Sequence, residues 1–259
     1  MKLGYFITST LYFWVFGCII DRILMQSEYK FDIILITTLI INVFTILTLQ
    51  IALRNKQYIS ERDEHLNISH FIYFISTSCI NAATFWYIYN FLLLTEVINL
   101  PFPLTIVWFI AKSFCYELTF DLFHYIMHRI FHYKLLYRYF HKTHHTDCRP
   151  AMISTFYQDP VDLFFSNTLT LVLTQWLIPF NSLEFSVFTI YKVFVEVAGH
   201  SGKIYNASSF TQCVWLAKFI NIDLRTEDHD RHHTPNNCNY GKRFTIWDKV
   251  FSTYYLSEN

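Results

Sequence analysis

Two stretches of this sequence are too long and too apolar for the surface of an ordinary water-soluble fold. Residues 33–53 run for 21 positions without a charge, and residues 71–94 for 24. At about 1.5 Å of rise per residue, a helix of either length crosses a hydrocarbon core of roughly 30 Å. Inside lipid the backbone must satisfy its own polar groups, so an uncharged run of this kind reads as a helix. Composition agrees: 53% of residues are hydrophobic and only 15% charged, with a mean hydropathy of +0.25. Residues 3–20 form another apolar run, which stops at Asp21 and Arg22. No small-residue cleavage site follows it, so a membrane span is preferred over a signal peptide. Pro101 and Pro103 open a further apolar helix that carries Lys112, Glu117 and Asp121 toward its end. Charges inside a span usually face a polar cavity and mark function. Residues 163–182 and 183–199, broken at Pro179, read as a membrane hairpin or as one span with an interfacial helix.

The helix that carries Asp121 leads into a segment, residues 121–147, holding six of the chain's twelve histidines. These are His124, His128, His132, His141, His144 and His145; a second cluster supplies His229, His232 and His233. Residues three or four apart share a helix face. His124 with His128, His141 with His144 and His145, and His229 with His232 and His233 therefore form three same-face sets. Together they hold eight imidazoles, about twice what one four-coordinate ion uses. Two metals are expected. His132 lies one turn further on, drifts out of phase with its pair, and is expected either to stand behind the ligands or to be structural. His65 and His70 lack partners at helical spacing and read as solvated loop residues.

Neutral imidazole suits iron, zinc, copper and nickel. The clusters lack the glutamate of an HExxH protease, and no serine or cysteine nucleophile motif or phosphate-binding glycine loop is visible. Net charge is zero, so nothing at whole-chain level points to nucleic acid. The six cysteines form no CxxC pair and are expected to be reduced. Two sequons, at Asn67 and Asn206, are read as chance matches. Two irons in a histidine-rich cage can reduce oxygen and oxidise an unactivated C–H bond, chemistry that needs a dry cavity beside a greasy substrate.

HYIMHRIFH, LYRYFHKTHH, GHSG, HDRHH and NYGKRFTIWDKVFSTY, in this order, resemble the fatty acid hydroxylase and sterol desaturase superfamily, over about residues 112–255. DLFHYIMHR and WDKVFSTY look most like the 4-methyl sterol oxidases. The resemblance implies a non-haem di-iron oxidoreductase of the endoplasmic reticulum that uses O2. Electrons would come from NAD(P)H through cytochrome b5 and a reductase, as separate proteins because the chain shows no such domain. It implies that His124, His128, His141, His144, His145, His229, His232 and His233 are metal ligands, with His200 of GHSG as an additional one. Asp121, Asp228 and Asp230 are candidates to orient ligand histidines, and Glu196 is a candidate ligand or buried partner. Where relatives often carry glycine and threonine, the closing motif has Ser252 and Thr253.

The expected architecture is all-α: a multi-span integral membrane helical bundle with a cytoplasmic histidine-rich helical cap. Residues 1–100 would supply the N-terminal spans and residues 101–259 one catalytic unit. Basic residues around the histidines, among them Arg138 and Lys242, place the metal site and both termini in the cytoplasm. The expected substrate is a membrane lipid, a sterol or a fatty acyl lipid. An ether-lipid monooxygenase and a catalytically inactive metal-binding scaffold stay open as alternatives.

Overall fold

The computed structural model describes residues 3–59, 67–93, 101–146, 151–204, 214–234 and 237–255. Among them all regular structure is helical, apart from two isolated antiparallel bridges, Tyr58 with Lys203 and Asp223 with Phe244. Four long helices come first: α1 (Leu3–Gln26), α2 (Phe31–Leu53), α3 (Ile68–Phe91) and α4 (Phe102–Phe131). Then follow α5 (Thr170–Leu177), α6 (Ser182–Gly199), α7 (Val214–Phe219), α8 (Thr226–His233) and α9 (Ile246–Val250).

Two helices, α2 and α3, are long and apolar enough to cross a membrane. Their outward faces carry Ile36, Ile40 and Leu47 on α2 and Ile68, Ile72 and Ile75 on α3, all exposed. Contiguous apolar exposure of this kind marks a surface that meets lipid or another protein. Between the two helices, Asn42 Nδ2 donates to Ser78 Oγ at 3.0 Å, a polar cross-link of the sort that ties membrane helices together.

Residues 182–199 form α6, against which α1 and α2 pack. It starts at a capping box in which Asn181 Oδ1 accepts from Glu184 N and Glu184 Oε2 from Asn181 N, each at 3.0 Å. Every residue from Glu184 to Val193 is buried. The ring stack of Phe180, Phe185, Phe188 and Tyr191 meets Phe109 and Tyr116 of α4. The charges that made α6 look interfacial are paired inside the protein: Glu184 lies 2.6 Å from Lys112 of α4, and Lys192 lies 2.9 Å from Glu196. Along α1, a Cβ at Gly17 would overlap Val187, so glycine lets the α1 and α6 backbones meet. Asp21 of α1 accepts from Ser182 Oγ at the start of α6.

His70 is likewise not a solvated loop residue. It is buried in the first turn of α3, where its Nδ1 lies 2.8 Å from the N-cap side chain of Asn67, and its ring stacks on Tyr157. Asn67 of the first sequon is therefore a helix cap. His65, Cys148, Cys213 and the sequon at Asn206 lie outside the described residues. Among the described cysteines, Cys18, Cys79, Cys115 and Cys238 are all free thiols.

Candidate metal centre

Five local structures bring ten histidines to one end of the bundle. Helix α4 presents His124, His128 and His132 at four-residue steps, each of which advances the side chain by about 40° beyond a full turn. A π-helical turn, Tyr137–His141, carries His141, and a 3-10 turn, His144–Thr146, carries His144 and His145. Helix α8 carries His229, His232 and His233, and His200 caps the C-terminal end of α6.

Their nitrogens fall into two groups. His128, His132, His141, His145 and His232 form one, and His144, His200, His229 and His233 the other; within each, the ligand atoms lie within 4.8 Å of one another. The same-face sets read from spacing are thus divided. Adjacent helical residues point about 100° apart, so His232 serves one group while His233 serves the other. His144 and His145 divide in the same way. The groups are immediate neighbours: the rings of His145 and His233 lie 4.7 Å apart between centroids.

Two positions differ from the sequence expectation. His132 belongs to the first group, its Nε2 3.1 Å from His141 Nε2. The α4 helix brings the second and third histidines of HYIMHRIFH to the cluster. His124 lies one turn back and falls in neither group; its Nδ1 is 2.7 Å from Ser166 O. The signal for His132 was present in the sequence as a third histidine at four-residue spacing.

The chemistry of the donor set fits metal ions. His128 Nδ1 donates to Tyr240 O at 2.9 Å, His232 Nδ1 to Cys238 O at 2.7 Å, and His200 Nδ1 to Glu196 O at 2.9 Å. His141 Nδ1 donates to Asp162 Oδ2 at 2.8 Å. A neutral imidazole that donates from Nδ1 has only a lone pair at Nε2. Yet the Nε2 atoms converge: His128 with His141 at 3.1 Å, His128 with His232 at 3.1 Å, His141 with His145 at 3.0 Å, and His200 with His229 at 3.0 Å. In the pairs of His128 with His141 and with His232 both Nδ1 atoms are already donating, so lone pairs face one another and need a cation between them. Adjacent ligands at 90° with bonds of about 2.1 Å would stand about 3.0 Å apart, close to this spacing.

Burial, reinforced by neighbouring imidazoles, holds His144, His145, His229 and His233 well below the ordinary histidine pKa. Burial likewise pushes His232 down to about 3. An unfolded chain takes up protons on these rings below about pH 6.5, whereas the folded chain does not. The unfolded state then binds more protons, so stability falls as pH drops below that value and is unaffected by these groups above about 7.5. Metal-free protein is expected to show a falling unfolding midpoint from about pH 6.5 downward, and metal-loaded protein to hold out to lower pH. Urea titrations at a series of pH values, with and without chelator, check this; a midpoint flat to pH 5 in chelator would contradict it.

Of the carboxylates expected to orient histidines, none of those assigned a contact does so through its side chain. Asp121 accepts the backbone N–H groups of Lys242, Arg243 and Phe244, at 2.7, 2.7 and 3.1 Å. Asp228 accepts from Arg225 N at the start of α8. Glu196 pairs with Lys192, Lys242 and Arg243, and only its backbone oxygen reaches His200. The orienting carboxylate is Asp162, fully buried, which also accepts from Gln158 Nε2. Nothing in the spacing of residues 158–162 relative to His141 announces it.

The loop from 238 to 244 is held by Asp121 on one side and Asp248 on the other; Asp248 accepts Tyr240 N and Gly241 N at 2.8 and 2.7 Å. This clasp fixes the carbonyls that receive His128 and His232. Thr253 Oγ1 donates to Asp248 Oδ1, while Ser252 sits at φ 56°. That left-handed conformation favours glycine, so serine here carries a backbone strain that glycine would not.

A family profile described as fatty acid hydroxylase matches residues 113–253, more than half of the chain and all nine grouped histidines. The chain belongs to the fatty acid hydroxylase family. It is 33% identical over 56% of its length to the fatty acid hydroxylase vlmA of Lecanicillium sp, covering 42% of that protein. Against the C-4 methylsterol oxidase erg25 of Schizosaccharomyces pombe it is 30% identical over 60% of its length and 50% of the relative's. Human cholesterol 25-hydroxylase is 30% identical over 52% of the chain and 48% of its own length. The chain spans about half the length of these curated relatives. No solved structure matches it.

Proposed function

We propose that the chain is a membrane-bound non-haem di-iron oxidoreductase that hydroxylates or desaturates a C–H bond of a lipid, a sterol or a fatty acyl lipid. The observation that carries this reading is the pair of adjacent imidazole groups, five and four nitrogens, in a family whose named relatives oxidise lipids. Two irons held by these groups supply the redox capacity to use O2 against an unactivated C–H bond. The protein's own residues keep the ligands neutral and aimed. Backbone oxygens of Glu196, Cys238 and Tyr240 and the carboxylate of Asp162 fix which ring nitrogen faces inward. Phe120 and Phe131 pack beside His124 and His141 and keep the α4 side of the site apolar. Residues 1–100 act as membrane spans and residues 101–259 as the catalytic unit. Electrons come from NAD(P)H through a separate cytochrome b5 and reductase.

The test is a reconstituted assay with reductase, cytochrome b5, NAD(P)H and oxygen-18 gas, offering sterols, fatty acyl lipids and ether lipids in turn. Labelled hydroxyl product, absent in His233→Ala, is expected for a hydroxylase; loss of two hydrogens without label identifies a desaturase. Iron-loaded protein that consumes no oxygen with any lipid would turn the reading to an inactive metal-binding scaffold.

The positive-inside rule supports this site on the cytoplasmic face of the membrane, which we propose is that of the endoplasmic reticulum. Cysteines introduced at Arg138 and Lys242 should then label only from the outside of sealed microsomes. Lumenal labelling at either would contradict that orientation.

A further inference from the structure

A cavity of about 270 Å³ lies where the end of α2 meets the segment that follows His200. Its floor is built as a unit. Ile59 N donates to Gly202 O and Ile204 N to Gln57 O, both at 2.9 Å, so the strand-like pairing of Tyr58 with Lys203 pins the two chain segments together. Gly202 makes the turn at φ 60°. One wall is apolar, formed by Ile46 and Leu53 of α2 and by Met152 and Ile153. Arg54 and Lys203 also line it, and among the described residues no acidic side chain does. Ser201, also in the lining, directly follows His200 of the second histidine group.

The two cations have different local explanations. Arg54 stands at the C-terminal end of α2, where the helix dipole already favours a positive charge. Lys203 arrives from another part of the chain and is buried, its Nζ 3.1 Å above the Tyr58 ring and donating to Lys56 O at 3.2 Å. An ammonium has three N–H donors, and among the described residues a single hydrogen bond, to Lys56 O, takes one of them. A buried cation with donors to spare, facing a second cation across an apolar-walled cavity, is complementary to an anion carrying an apolar body.

We propose that this cavity binds a single-chain lipid by an anionic head group, with Arg54 and Lys203 taking the head and the α2 wall the first part of the chain. As a substrate site it rests on the lipid-oxidising function proposed above; as a binding site it is testable alone. Half of the cavity comes from residues before 113, outside the family match, so it is a place where this chain sets its own specificity.

The experiment measures equilibrium binding of radiolabelled palmitate, methyl palmitate and a neutral sterol to the full chain in nanodiscs of zwitterionic lipid, both metal-loaded and metal-free. Palmitate is expected to bind about tenfold more tightly than its methyl ester, the worth of one charge-assisted contact. Arg54→Gln and Lys203→Gln should each remove that preference while leaving ester binding in place, and Met152→Trp should weaken acid and ester alike. Inorganic phosphate at millimolar concentration should not displace palmitate; displacement would mean a free-anion site and overturn the lipid assignment. Equal binding of acid and ester, tighter binding of the sterol, or unchanged preference in the charge variants would overturn the proposal. Should Lys203→Gln fail to fold, Arg54→Gln, at an exposed helix end, carries the test. Palmitate preference without oxygen consumption would remove the oxidase reading and leave the site. Sterol oxidation without acid preference would do the reverse.

Discussion

Replacing His132 with alanine is expected to weaken metal retention, so that bound metal falls measurably below two ions per chain after dialysis against chelator, while His124→Ala keeps both. The two residues flank His128 at equal distance along α4, so helical spacing treats them alike. Geometry separates them. The His132 ring lies 5.0 Å from His128, 4.9 Å from His145 and 4.9 Å from His232 between centroids, inside the first group. His124 approaches only His128 among the grouped rings, and its Nδ1 lies against Ser166 O. Deleting one of five converging imidazoles also leaves four rings whose lone pairs face one another with one fewer bond to the ion that holds them. His229→Ala should remove the other ion, since it lies 3.0 Å from His200 Nε2 and 3.3 Å from His233 Nε2 in the second group. Elemental analysis of purified variants decides. Equal metal loss in His124→Ala and His132→Ala would return His124 to the ligand set.

That contrast shows where the sequence was legible. Spacing told which histidines matter as a population, because HxxHH and HxxxH are readable whatever the backbone does between them. It did not tell how they partition, for two physical reasons. Residues 137–141 form a π-helical turn and residues 144–146 a 3-10 turn, so the α-helical face assumed for His141, His144 and His145 does not exist as such. On α8, which is regular, two ions share one helix, and spacing cannot say where one ends. Apolar run length located α2 and α3, because the length of an uncharged run is itself the physical requirement for spanning. It could not show how the charges of α6 are neutralised, because Glu184 meets Lys112 and Glu196 meets Lys242 and Arg243 only through tertiary contacts. Asp162 and the buried His70 were hidden for the same reason: a side chain's role there is set by a tertiary contact, with His141 or Tyr157, that no local pattern encodes.

The second large effect is expected at Arg243. It is fully buried, with Nε 2.7 Å from Glu117 Oε2 and Nη2 2.8 Å from Glu196 Oε1. Lys192 and Lys242 also pair with Glu196, at 2.9 and 3.2 Å. With Asp121 capped by three backbone N–H groups, the interior holds three acids against three cations, a balance that one deletion upsets. Arg243→Met leaves Glu117 without its cation in a site shielded from water. Breaking one partner out of a buried pair costs about 3–5 kcal/mol, far more than a surface bridge. The loss should reach the metal centre as well, because Arg243 belongs to the loop whose carbonyls receive His128 and His232, and Glu196 lies one turn before His200. Glu117→Gln added to Arg243→Met should recover much of the stability, since Glu196 keeps two cations and the amide at 117 carries no charge to strand. Denaturant unfolding in micelles with chelator present isolates the protein's own stability from that lent by metal. A single variant within about 0.5 kcal/mol of the parent would show that water or a rearranged Lys192 reaches Glu117, and that the charge cluster is not the clasp described here.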